Sequence, residues 1–144
     1  MISAKLSRGR DTALAVVYLL KIHREYRRGN SAVARRTSRA MARVPASHPQ
    51  LVSSGIETWH VARAVWRAKK WLPVHSTCLQ TALATQMLFD HKGIDSVVRI
   101  GVASIDADAH AWVEVGNFVL DDQRIASRFN AFELPAAAQS AVDA

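Results

Sequence analysis

The run from Ser76 to Asp122 constrains this chain more than any other, because its hydropathy changes from helical to alternating spacing within a short span. In its first part Leu79, Ala82, Leu83, Gln86, Met87 and Asp90 recur at helical spacing, and Gly93 stands where a helix would stop. Thr77 is placed as N-cap, and Gln80 three residues later completes a capping-box pattern. Cys78, the chain's single cysteine, therefore falls in the first helical turn. At a helix start the unpaired N–H groups and the macrodipole favour negative charge, so a thiolate there is stabilised and an oxyanion could be cradled beside it.

The second part reads as strands. Ser96 to Val102 is a β-branched run, and Asp106, Ala107 and Asp108 form an acidic loop after it. From Ala109 to Val115 the alternation puts His110, Trp112 and Glu114 on one face and Ala111, Val113 and Val115 on the other. Gly116 and Asn117 are a turn pair, and Phe118 to Asp122 returns antiparallel. A helix-borne Cys, a strand-borne His and an Asp on the next strand are the parts of a nucleophile, its base and the group that orients the base.

The alternation leaves open which aspartate shares the His110 face. A two-residue turn pairs Val115 with Phe118 and selects Asp121, whereas one extra residue or a bulge selects Asp122.

Three motifs together resemble the leader peptidases of lasso-peptide biosynthesis, a branch of the transglutaminase-like, papain-related cysteine proteases. They are Cys78 and Leu79 on an Ala/Leu-rich helix, the G-I-x-x-x-V-x-I-G-V run from Gly93 to Val102, and A-H-A-W-V-E-V-x-x-x-V-L-x-D from Ala109 to Asp122. The match covers roughly residues 70 to 125. The resemblance implies Cys78 as nucleophile, His110 as general base and acid, and Asp122 as the residue orienting the imidazole, with Asp121 in reserve. Two departures stand out: Gly-Asn at the hairpin where the family often has Asn-Gly, and Asp121 where it often has Asn.

The same resemblance implies an activity: hydrolytic removal of the leader from a lasso precursor peptide in the bacterial cytoplasm. It also implies partners, namely a separate leader-recognition protein and the lasso cyclase. The first 70 residues read as helices rather than as a strand-bearing recognition module, which matches the stand-alone form of the peptidase. Other Cys-His-Asp enzymes, such as transglutaminases, move the acyl group to an amine, and a non-catalytic adaptor working through a basic arm is a further alternative.

Ahead of this run the chain predicts helices. The first covers residues 11 to 28, with Asp11 or Thr12 as cap; the second covers 32 to 43; the third covers 56 to 71, closed by Leu72 and Pro73. The apolar stretch from Ala13 to Leu20 is far short of the ~20 residues a membrane span needs, and Lys21 follows without a signal-peptidase-like site. The net charge of +7 is concentrated at the start: residues 1 to 44 carry eleven Lys and Arg against Asp11 and Glu25, while the remainder is slightly acidic. Few aromatics stand among those arginines, which disfavours single-stranded nucleic acid as the partner.

The expected fold is α+β, with N-terminal helices and a Cys-bearing helix packed on a small antiparallel β-sheet. The expected division is a basic helical segment over 1–50 and a peptidase core over 51–144. One cysteine excludes an internal disulfide and fits a reducing compartment. His60, His75 and His91 have no metal-ligand spacing with Cys78, so neither metal nor cofactor is expected.

Overall fold

The computed structural model describes residues 2–29, 31–43, 55–102, 108–116, 118–121 and 130–131. Among the described residues four helices, α1 (Ile2–Arg27), α2 (Ser31–Ala42), α3 (Gly55–Trp71) and α4 (Cys78–His91), precede four strands, β1 (Val97–Val102), β2 (Ala109–Val115), β3 (Phe118–Leu120) and β4 (Asn130–Ala131). The strands form one antiparallel sheet in the order β3-β2-β1-β4. The architecture is α+β, as the sequence predicts.

Helix α4 is the centre of the molecule. Nine of its residues from Gln80 to Phe89 are buried, so it is enclosed on most of its circumference rather than amphipathic. α1 and α3 pack on it from one side and the sheet packs through β2 and β1. One apolar cluster joins Ala15, Leu19 and Ile22 of α1, Val61 and Val65 of α3, Leu83, Leu88 and Phe89 of α4, and Val98 and Val113 of the sheet. The expected division at residue 50 falls outside the described residues, and the described helices on either side of it share this core.

α1 begins nine residues earlier than the cap pattern predicts. Asp11 does not cap it, because its carboxylate forms an ion pair with Lys92 at 3.0 Å. Thr12 lies inside the helix, and its hydroxyl donates to the Arg8 carbonyl one turn back at 2.9 Å. Gly29 takes φ +61 just beyond the helix, a left-handed conformation open to glycine at little cost. Gly93 does the same after α4 with φ +70, where the Ile94 N–H donates back to the Phe89 carbonyl at 3.0 Å.

Two arginines of this region, Arg36 within α2 and Arg43 just past its end, are engaged in holding the helix down. Arg36 forms a two-point ion pair with Glu25 of α1 at 2.9 and 3.0 Å, and Arg43 does so with Asp90 of α4. The basic segment is thus tied to the body of the fold at the middle of α2 and just past its C-terminal end.

Phe89 is fully buried in this cluster, so Phe89→Ala should cost about 3–5 kcal/mol in urea unfolding, the range for removing a large core side chain. A loss below about 1 kcal/mol would contradict the central position of α4.

Candidate active site

The start of α4 is fixed by the capping box the sequence predicts. Thr77 has extended backbone (φ −70, ψ 166); its hydroxyl accepts from the Gln80 N–H at 3.3 Å, and its own N–H donates to Gln80 Oε1 at 3.1 Å. Two donors of the helix end are satisfied reciprocally, and Cys78 follows as the first helical residue. Its thiol is free and half-buried.

The thiol borders a tight cleft of about 20 Å³ between α3, α4 and the sheet. Ala62 and Trp66 line it from α3, Thr81 and Thr85 from α4, and Ala111 and Trp112 from β2. Trp59 packs edge-on against Trp66 with ring centroids 5.0 Å apart, extending this aromatic wall toward solvent. Cys78 is therefore brought beside the segment of β2 that carries His110. Among the described residues no hydrogen bond joins Cys78 to the imidazole. Such contacts often tighten only when substrate is bound.

His110 and Asp121 are brought into direct contact. The imidazole Nε2–H donates to Asp121 Oδ1 at 2.9 Å, and both side chains are about 4% exposed. The carboxylate thereby fixes the orientation of the imidazole ring. The ring stacks at 25° against Trp112, with centroids 6.1 Å apart.

The register explains why Asp121 is the partner. Val115 pairs with Phe118, Glu114 with Val119 and Val113 with Leu120, so the hairpin turns over two residues, with Gly116 at φ +55. The pleat then puts Asp121 on the face of His110 and Trp112. This is the arrangement that the two-residue turn selects. Asp122 lies outside the described residues.

Glu114, which the alternation places on the same face, is tied into a network there. It accepts from Trp112 Nε1–H at 3.0 Å and from Arg99 Nε–H at 3.2 Å, which anchors the indole and the β1–β2 pair. Tyr26 of α1, which no sequence motif singles out, packs against the core beside Cys78. Burial, and secondarily the charge of Cys78, push its phenol pKa up. Among the described residues no group of three His, Cys, Asp or Glu side chains could hold a metal ion.

The structure thus sets a cysteine at a capped helix start beside a strand whose buried histidine bonds an aspartate. The family model described as the transglutaminase-like superfamily matches residues 13–133, and the chain belongs to that superfamily. Its chemistry is that of cysteine-based peptidases and acyltransferases. Comparisons with curated proteins and with solved structures each gave no match.

The His110–Asp121 contact predicts that Asp121→Asn slows acetylation of Cys78 by p-nitrophenyl acetate about 10²-fold or more, read by intact-mass spectrometry. If Asp121 alone orients the imidazole, Asp122→Asn should leave the rate within about threefold. A greater loss at Asp122 would overturn the assignment.

Proposed function

We propose that this protein is a cysteine peptidase that removes the leader from a lasso-peptide precursor in the bacterial cytoplasm. The observation that carries the reading is the half-buried Cys78 at the start of α4, beside the strand whose His110 is held by Asp121. Family membership supports cysteine-based acyl chemistry, and the A-H-A-W-V-E-V strand with its Gly93 to Val102 partner supports the leader-peptidase branch.

In this mechanism His110 Nδ1 takes the Cys78 proton and Sγ adds to the carbonyl of the scissile peptide bond. The intermediate collapses as His110 returns the proton to the leaving nitrogen, freeing the core peptide with its new N-terminus. Water then hydrolyses the thioester and releases the leader. Asp121 keeps the imidazole in the tautomer and orientation that both transfers require.

The partners in this reading are the precursor's leader, a separate leader-recognition protein and the cyclase that consumes the freed core peptide. None of the described helices is long and apolar enough to cross a membrane.

Incubating purified precursor with this chain should give two fragments whose summed mass exceeds that of the precursor by one water, several-fold faster when the recognition protein is present. Cys78→Ala and His110→Ala should each abolish the cut. Transfer of the leader to an added amine without hydrolysis would instead make the protein an acyltransferase. Unchanged processing by Cys78→Ala would contradict the reading.

A further inference from the structure

The acyl chemistry needs a hydrogen-bond donor for the oxyanion besides the backbone at the start of α4, and the packing of α1 on α4 supplies one. The buried stripe of α1 runs Asp11, Ala15, Leu19, Ile22, and Tyr26 continues it at the next helical step. The Asp11–Lys92 ion pair fixes the lengthwise register of the two helices at one end. From that pair α4 must run toward the Arg27 end of α1 to stay against the stripe, since the nine residues of α1 before Asp11 are too few to flank the 14 from Lys92 back to Cys78.

Cys78 lies 14 residues before Lys92 and Tyr26 lies 15 residues after Asp11, so both sit about 21–22 Å from the ion pair at 1.5 Å per residue. Antiparallel packing therefore sets Tyr26 level with Cys78, close enough for the sulfur's charge to act on the phenol.

We infer that the Tyr26 hydroxyl is a catalytic donor, hydrogen-bonding the oxyanion that forms when Cys78 Sγ adds to a substrate carbonyl. The S–C bond forms as the carbonyl π pair moves onto oxygen, Tyr26 O–H donates to that oxygen, and the proton stays on the phenol. Collapse re-forms C=O and expels the leaving group. The phenol is suited to this part because burial and the neighbouring sulfur charge keep it protonated at neutral pH.

Around Cys78, β2 carries His110 with Asp121, just past β3, bonded to it, the connector carries the exposed His75, and α3 presents Ala62 and Trp66. Tyr26 is thus the group that α1 contributes. The inference rests on Cys78 being the nucleophile and is independent of which peptide is cut.

The test compares two reactions of the same sulfur, the chain's single thiol, in the wild type and in Tyr26→Phe. Acetylation by p-nitrophenyl acetate passes through an oxyanion and should fall about 10²-fold, the loss typical of removing one such donor. Alkylation by iodoacetamide forms no oxyanion and should stay within about twofold, with an unchanged melting temperature. With a peptide substrate the loss should appear in kcat and leave KM nearly constant. Acetylation unaffected by Tyr26→Phe would overturn the inference, as would equal losses in acetylation and alkylation. A wild type that alkylates but never acetylates would overturn both the donor and the nucleophile, whereas a protein that acetylates through Tyr26 yet leaves the precursor uncut would fail only as a leader peptidase.

Discussion

The reciprocal hydrogen bonds between Thr77 and Gln80 decide where α4 begins, and the rest of the site is measured from that point. A helix that started one residue later would turn Cys78 about 100° around the axis or leave it outside the helix. The cap is reinforced by Thr81, whose N–H and hydroxyl both bond the Thr77 carbonyl at 3.0 and 2.9 Å. Because α4 is also enclosed by α1, α3 and the sheet, this end cannot slide without disturbing the core. The sulfur is thereby held by the most constrained element in the fold.

The sheet contributes a second constraint, set by pleat rather than by caps. β3 has three residues, and its register against β2 alone determines which aspartate reaches the imidazole. A one-residue slip would turn Asp121 to the opposite face. The Trp112–Glu114–Arg99 network holds the same face of β2 and β1, so the ring of His110 stacks on an indole that is itself anchored. Rigid elements on both sides of the cleft are what a preorganised acyl-transfer site requires.

The parts of the fold legible in the sequence were those governed by local physical chemistry. Thr77, Gln80 and Gly93 bracket α4 through capping and left-handed backbone, which depend on neighbours only a few residues away. The alternation from Ala109 to Val115 likewise reads directly as β2. The start of α1 was misread because Asp11 and Thr12 have the chemistry of caps, while their real partners are Lys92, far along the chain, and the Arg8 carbonyl. The choice of aspartate stayed open because turn length and strand register are decided together. Tyr26 was invisible because its place depends wholly on how α1 lies along α4, a relation that no periodicity encodes.

In the proposed reaction Cys78 is a nucleophile activated by the His110–Asp121 pair. Its most direct test is the second-order rate of iodoacetamide alkylation of Cys78 at neutral pH, in the wild type and in His110→Ala. The wild-type thiol should react well above a small-molecule thiol under the same conditions, and removing the imidazole should return it to that level. A wild-type rate no greater than the small thiol's, unchanged in His110→Ala, would contradict it.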